Sequence, residues 1–354
     1  MDPAQVARTR ISRVKRGIVR AASLLSLLAV LSCDEPRSLK VIVGLPALSI
    51  SKMPFVLAMD QGLYEKHGLT VEIWMPPPGA NSVRVYADPL TRLWRATGIN
   101  TPRAPDIYVD GATPMMVKLT EIAGETRRIA VGATDCVVRA HIIGRKGMAS
   151  IEDLKGKRIG VSASYSTAGF KALLLAQRMG WDPVRDISIM AGVSDIERLL
   201  DGSVDAIVGY EEAYAKAKRA GLPILADTSE WGAFVAGNSI NVEPSWLDDP
   251  AHREVVRRFL KATAEATALF HQQPAVALQA IETWYGTHDE EWAKTIYARG
   301  AWLPRKPYPC YEGYVKTMEL YDSNEMRRYK PEDFYDDSLM REIDESGFID
   351  ALYK

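Results

Sequence analysis

Short polar runs that follow apolar, strand-like stretches hold most of the chemistry in this chain. After Lys40–Leu45 come hydroxyls at Ser49 and Ser51 and a cation at Lys52. After Asp106–Val109 comes Asp110-Gly111-Ala112-Thr113, at the start of a helical stretch. Gly111 permits close backbone approach by a small molecule. After Val161 comes Ser162-Ala163-Ser164-Tyr165-Ser166-Thr167. Free N–H groups at a helix start, beside several hydroxyls, suit an anion. Ordinary capping by Ser166 or Thr167 would use the same residues. After Val208, Tyr210 offers a ring face and a hydroxyl. Glu211 either receives an amine or ring N–H or stabilises the start of its own helix. Further candidates near two later strand-like stretches are Thr134, Asp135, Arg139, Trp231 and Asn238, with Arg139 alternatively pairing a neighbouring acid.

These groups point to binding rather than catalysis. The chain has no G-x-G-x-x-G, G-x-S-x-G or G-x-x-x-x-G-K-[ST] run. His67, His141, His252, His271 and His288 lack metal-ligand spacing with one another or with cysteine, so no metal and no cofactor is expected. The ligand-binding set expected is Ser49, Ser51, Lys52, Gly111, Ala112, Thr113, Asp135, Ser164, Tyr165, Ser166, Thr167, Tyr210, Glu211 and Asn238. In open α/β sheets, ligands sit beyond the carboxyl ends of the strands, where these runs fall.

The elements that must position them follow from the pattern. Phe55–His67 reads as a helix ended by Gly68, and Leu69–Met75 alternates as a strand. Pro76-Pro77-Pro78-Gly79 stops regular structure. Asn81–Ala104 reads as helix followed by loop, and Pro114–Ala123 as a short helix. The middle of the chain repeats strand then helix three times, over Arg158–Met179, Ile187–Leu200 and Val204–Arg219, with Leu222–Ala226 as a further strand. That alternation predicts a parallel sheet covered on both faces. Beyond Asp249 the chain reads as helices, at Ala251–Gln272, Pro274–Tyr285, Glu290–Arg299, Tyr311–Leu320 and Ser338–Ile343. The fold class expected is α/β, with two doubly wound lobes and a helical C-terminal tail. Lobe 1 is residues 40–133 plus 234–354, and lobe 2 is residues 134–233. Strand-like Ile129–Ala140 and Ala233–Val242 flank the inserted unit and predict a two-strand hinge.

The start of the chain reads as an export signal. Arg8, Arg10, Arg13, Lys15, Arg16 and Arg20 precede the apolar run Ala21–Ser32. That run is shorter than the roughly 20 residues a membrane span needs, and it suits a secretory signal. Val30-Leu31-Ser32-Cys33 resembles a bacterial lipoprotein box, which implies a signal peptide over 1–32, a lipid on Cys33 and a tether over 33–39. An ordinary signal peptide with a stray cysteine is the alternative. Asp34 favours retention at the inner membrane by the same analogy. The protein is expected in the periplasm or on the outer face of the cytoplasmic membrane, held there by its lipid. The chain has 44 basic and 45 acidic residues; losing six basic residues and one acid before Cys33 leaves 38 against 44, a net charge of −6. That argues against a nucleic-acid partner. Of the remaining cysteines, a Cys136–Cys310 disulfide is permitted in an oxidising compartment. Cys136, in an apolar strand-like run, reads instead as a simply buried thiol.

Three stretches, in order, carry a family resemblance. The first is Val43-Gly44 with Pro54 through Gly62-Leu63-Tyr64-Glu65-Lys66-His67-Gly68-Leu69 and Val71-Glu72. The second is Ile151–Val161 (IEDLKGKRIGV), and the third is Leu199–Tyr210 (LLDGSVDAIVGY). Together they resemble the type II periplasmic substrate-binding proteins of ABC importers, nearest the nitrate/sulfonate/taurine and thiamine-pyrimidine-precursor binders. The resemblance implies a monomer that captures a small organic anion or heteroaromatic solute by lobe closure. It would deliver that solute to an ABC permease and its ATPase. Two departures stand out. Ser82–Pro105 replaces a usual short element with a longer, tryptophan-containing stretch. The cysteine-rich cluster of the thiamine-pyrimidine synthases, enzymes on the same fold, is missing. An enzyme of that type and a ligand sensor without a transport role are the alternative readings.

Overall fold

The computed structural model describes residues 39–75, 83–86, 94–97 and 104–354. The basic start, the apolar run, Cys33, Asp34 and the proline run at 76–78 lie outside the described residues. Among the described residues, no helix is long and apolar enough to cross a membrane.

Along the chain, β1 (Leu39–Gly44) leads to α1 (Met53–Asp60), α2 (Leu63–Lys66), β2 (Leu69–Met75), β3 (Val83–Tyr86), β4 (Trp94–Thr97), β5 (Ile107–Gly111), α3 (Ala112–Glu121) and β6 (Ile129–Ala133). A second unit follows: β7 (His141–Gly144), β8 (Arg158–Val161), α4 (Thr167–Met179), β9 (Ser188–Ala191), α5 (Ile196–Leu200), β10 (Ala206–Gly209), α6 (Glu211–Ala220) and β11 (Ile224–Asp227). The chain returns through β12 (Asn238–Val242). It ends in α7 (Pro250–Gln272), α8 (Pro274–Tyr285), α9 (Glu290–Gly300), α10 (Tyr311–Leu320), α11 (Ser338–Glu345) and α12 (Phe348–Ala351).

Two sheets result, ordered β4-β3-β2-β1-β5-β12-β6 and β11-β7-β10-β8-β9. Both are mixed, where a parallel sheet was expected for the middle of the chain. Strands reached through a helix run parallel to one another, as β1 does with β2 and β8 with β9 and β10. The exceptions are strands that enter straight from the other sheet. β7 is antiparallel to β10 and β11, and β12 is antiparallel to β5 and β6. The expected helix within Asn81–Ala104 is replaced, in its described parts, by β3 and β4. Val83-Arg84-Val85-Tyr86 extends the sheet antiparallel to β2, Tyr86 opposite Ile73. Its short β-branched alternation is a strand signal.

The expected helix Phe55–His67 starts earlier and breaks in two. Gly62 takes φ +64°, a conformation that costs glycine little and interrupts a right-handed helix. α1 is apolar and buried from Met53 to Met59, packed against α7 and α8. Phe259 of α7 stacks on Phe55 and Tyr64, with ring centroids 5.9 and 5.4 Å apart. A helix that is apolar all round must be covered on all sides, and this packing anchors the loop before α1, where Ser49, Ser51 and Lys52 lie.

The strand-like stretch Ile129–Ala140 keeps its strand only to Ala133. Asp135 Oδ1 accepts the N–H groups of Val137 and Val138, each at 2.8 Å, and turns the chain out of the ladder. The return strand likewise begins at Asn238 rather than Ala233. Cys136, which read as a simply buried thiol, is in a disulfide with Cys310, Cα–Cα 5.5 Å. The bond joins the segment between the sheets to the residue capping α10. It closes a loop of 174 residues. Removing it with Cys136→Ser and Cys310→Ser together should lower stability by about 2–5 kcal/mol. Urea unfolding of both proteins is the measurement, and an unshifted midpoint would contradict the expectation.

Candidate functional site

The loops after β1, β5, β8 and β10 converge with the segments joining the sheets around a cavity of about 220 Å³. Ten of the fourteen expected residues line it: Ser49, Ser51, Lys52, Gly111, Asp135, Ser166, Thr167, Tyr210, Glu211 and Asn238. Asp110, Val138, Arg139 and Ser162 complete its polar and connector walls. A larger hollow of about 520 Å³ adjoins it and shares Pro46, Asp110, Gly111 and Pro114. Its remaining walls include Trp74, Tyr108, Lys118 and Arg128, all from the first half of the chain. The smaller cavity is the one that loops of both sheets enclose, so it is the candidate site.

One wall is a hydroxyl and amide cluster. Asn238, nine-tenths buried, donates from Nδ2 to Ser51 Oγ and, at 3.4 Å, to Ser49 Oγ. The two serine hydroxyls are 3.1 Å apart and share a hydrogen bond. Thr134 donates from Oγ1 to the Ser51 carbonyl at 2.6 Å, which commits that residue to holding the loop rather than a ligand. Opposite lies the start of α4. There the Ser166 hydroxyl caps its helix, accepting Gly169 N–H at 3.1 Å and donating to the Ala163 carbonyl at 2.6 Å. The capping alternative therefore holds for Ser166 itself. Thr167 comes within van der Waals reach of Gly111: a β-carbon there would sit 3.0 Å from Thr167 Oγ1 and 2.9 Å from Pro114 Cδ. Glycine is what lets the two walls come this close.

Four expected residues point elsewhere. Ala112 and Thr113 are fully buried, and Thr113 Oγ1 donates to the Ala236 carbonyl at 3.2 Å and lies 3.0 Å from Thr317 Oγ1. A residue one or two places into a helix turns inward as readily as outward, and the loop spacing did not reveal which. Ser164 uses its carbonyl to accept Tyr321 O–H at 2.7 Å. The Tyr165 ring lies under the Lys118 ammonium, 5.3 Å from ring centroid to Nζ. Trp231 packs against Arg178, outside the cavity wall. Asp110 is the lining carboxylate missed among the expected residues. It stands at the end of a strand directly before a glycine, and it read as a turn residue.

The buried charges give the site its electrostatics. Lys52 is 5 % exposed; burial lowers the pKa of its ammonium, opposed by attraction to Asp110 and Glu211. Burial raises Glu211 to about 7, with nearby Arg299 and Arg139 pulling the other way. Burial likewise raises Asp135, against the two backbone N–H groups that favour its ionised form. Lys171, fully buried behind this wall, donates from Nζ to the Val137 carbonyl at 2.7 Å, and burial brings it down to about 8. The cavity thus holds hydroxyls, one amide, two cations and three carboxylates, two of which sit at raised pKa. Such a lining can accept an acid group and also donate to or accept from a ring nitrogen or amine.

Comparison with known proteins follows from this geometry. Residues 139–277 match the family model described as NMT1/THI5 like. The structure is similar to the periplasmic aliphatic sulphonate binding protein SsuA from Escherichia coli, with a TM-score of 0.58 at 18% identity, covering 87% of this chain and 92% of that one. It is also similar to the alkanesulfonate-binding protein SsuA from Xanthomonas axonopodis pv. citri bound to MOPS, with a TM-score of 0.58 at 17% identity over 88% and 98% of the two chains. The desulfurization enzyme DSZB shares the fold too, with a TM-score of 0.58 at 12% identity over 87% and 99%. No curated protein matches the chain in sequence. The chain therefore has the periplasmic-binding-protein fold. The stretch matched by that family model runs from the second sheet through β12 and α7 into α8.

The raised pKa of Glu211 carries a pH signature. In the unfolded chain this carboxyl titrates near 4.5, and in the folded protein near 7. Between those values the folded state holds the extra proton, so the group's contribution favours folding below about 4.5 and is lost as pH rises through 7. Glu211→Gln should therefore gain stability relative to the parent protein as pH goes from 5 to 8, by up to about 3 kcal/mol. Thermal unfolding of the pair across that range checks it; a difference that stays constant with pH would contradict the assignment.

Proposed function

We propose that this protein is the extracytoplasmic solute-binding component of an ABC importer. It captures a small organic anion or heteroaromatic solute between two lobes and hands it to a membrane permease. What carries the reading is the convergence of loops from both sheets on one polar cavity, with the chain crossing between the two sheets through paired segments at 134–140 and 228–237. Two bodies linked in this way close on a ligand by rotation about the link. Closure expels water and leaves the lining polar groups to be satisfied by the solute, which is where selectivity arises.

The shared fold with an enzyme means that the site must decide between binding and chemistry. Neither histidine nor free thiol is among the lining residues of this cavity in the described structure. Cys136 and Cys310, the two cysteines among the described residues, are bonded to each other. The hydroxyls of Ser166, Ser49 and Ser51 are engaged as caps and loop ties. This supports recognition without turnover. Lipid attachment at Cys33 would hold the protein beside its permease.

Titration calorimetry against alkanesulfonates, nitrate, aminopyrimidines and aromatic carboxylates tests the reading. One class should bind and reduce the radius of gyration in small-angle scattering. Thr167→Val and Tyr210→Ala should each weaken that binding by about tenfold while leaving the fold intact. Consumption of the bound compound, or binding with no change in scattering, would overturn the proposal.

A further inference from the structure

A second cavity, of about 250 Å³, borders the first and shares Asp135 and Arg139 with it. Its other walls include Ser229, Glu230, Arg299 and Trp302. Arg299, near the end of α9, has a side chain nine-tenths buried, and its Nε and Nη2 have no hydrogen-bond partner. Buried guanidinium N–H groups without an acceptor are costly, and native proteins rarely leave them so. Asp227 lies 3.6 Å from Nη2 and Glu211 also attracts the guanidinium, but the Asp227 carboxylate is already engaged. Its Oδ1 accepts from Ser229 N and Oγ, and its Oδ2 lies 3.5 Å from His141 Nε2.

Arg139 comes from the opposite wall and stacks on the exposed ring of Trp302, 4.7 Å from guanidinium carbon to centroid. Two guanidiniums thus line one small cavity. Burial, then the neighbouring charge of Arg299, disfavour the ionised form of Arg139, and Asp227, Asp135 and Glu211 pull the other way. These three acids offset the charges, yet none accepts a hydrogen bond from Arg299 Nε or Nη2, and it is these two donors that an anion's oxygens fit. The fork of N–H donors on each guanidinium fits the oxygens of a carboxylate, sulfonate, sulfate or phosphate.

We propose that Arg139, Arg299 and Trp302 form an oxyanion-binding site beside the central cavity. Arg299 contributes from the C-terminal helices and Arg139 from the segment joining the two sheets. An oxyanion held between them would tie that segment to the tail. The occupant is either a free inorganic anion or the acid end of a solute that extends out of the central cavity. The site stands on its own geometry and does not depend on the importer reading.

Trp302 provides the readout, as the difference in fluorescence between the parent protein and Trp302→Phe. Sodium sulfate and inorganic phosphate are titrated at constant ionic strength against chloride. A saturable Trp302 response is expected for at least one of them. Arg299→Met should weaken it by about tenfold or more, and Arg139→Met comparably, since each supplies half of the clamp. Arg139 is more exposed than Arg299, so its replacement reports even where the Arg299 variant fails to fold. Arg185→Met, which removes a charge from an exposed side chain, should leave the response within about twofold. No saturable response, or equal affinity in Arg139→Met and the parent, would overturn the inference. Binding that survives both arginine changes but disappears in Lys52→Met would also overturn it, placing the anion in the central cavity and leaving the proposed function intact. Where the anion binds and no organic solute closes the lobes, the importer reading fails and this site stands. If methanesulfonate competes with sulfate for the Trp302 response, the site takes a solute's acid end as well as free anions.

Discussion

Everything distinctive in this molecule depends on how the chain crosses twice between its sheets. The crossings are paired with each other. Thr134 N–H donates to the Asn238 carbonyl at 2.9 Å, Val235 N–H to the Cys136 carbonyl at 2.9 Å, and Thr228 N–H to the Ala140 carbonyl at 2.8 Å. The disulfide from Cys136 to Cys310 then fixes one of them to the C-terminal helices. Val138, inside the same crossing, takes φ +41°, the one positive φ outside glycine among the described residues. For a β-branched residue that conformation is strained, and it persists only where the surroundings over-determine it. Two N–H groups on the Asp135 carboxylate and the Lys171 ammonium on the Val137 carbonyl supply that determination. A joint this constrained confines any relative motion of the sheets to few residues. It also places Asp135, Arg139 and Asn238 at fixed points of the cavity wall.

The same constraint explains the buried charge. Lys52, Lys171, Asp135 and Glu211 are each taken from water, and burial is the leading influence on all four. Such groups are expensive in a rigid core and are tolerated where they offset one another. Here Lys52 and Arg139 share one space with Asp110, Asp135 and Glu211, and Lys171 lies behind its wall, so opposite charges offset one another. A lining of this kind discriminates by geometry rather than by bulk charge. A ligand gains only when its own acid and donor groups meet the complementary points, and a misfit leaves a buried charge uncompensated.

How much of this was legible in the chain depends on the range of the interaction responsible. Leu69–Met75, Thr167–Met179, Pro274–Tyr285 and Tyr311–Leu320 were readable to the residue, because strand alternation, caps and glycine stops act within one element. The loops carrying Ser49, Lys52, Thr167, Tyr210 and Glu211 were readable too, because strand ends in an α/β sheet face the ligand side. What was hidden depends on partners distant in sequence. The inward turn of Thr113 is set by Ala236 and Thr317, and the Ser164 carbonyl is claimed by Tyr321. The disulfide joins positions 174 residues apart, and no local pattern around Cys136 announces it. β7 lies just past the strand-like stretch Ile129–Ala140 and did not read as a strand, while β12 did; the opposed direction of both emerges only from the route the chain takes between sheets.

The fold itself does not separate carriers from catalysts, since DSZB and the sulphonate binders share it at similar TM-scores. The separation lies in what the loops present at the strand ends. A catalytic site needs a nucleophile or base left free and aimed at the substrate. Around this cavity the serines are drawn into caps and mutual hydrogen bonds, and the carboxylates with raised pKa are held by burial and by backbone N–H groups. Tyr210, whose phenol burial pushes far above its ordinary range, is a donor rather than a base. A carboxyl that burial brings near 7 suits proton transfer as well as hydrogen bonding, so what distinguishes this lining is its serines, which are tied to the protein rather than left free.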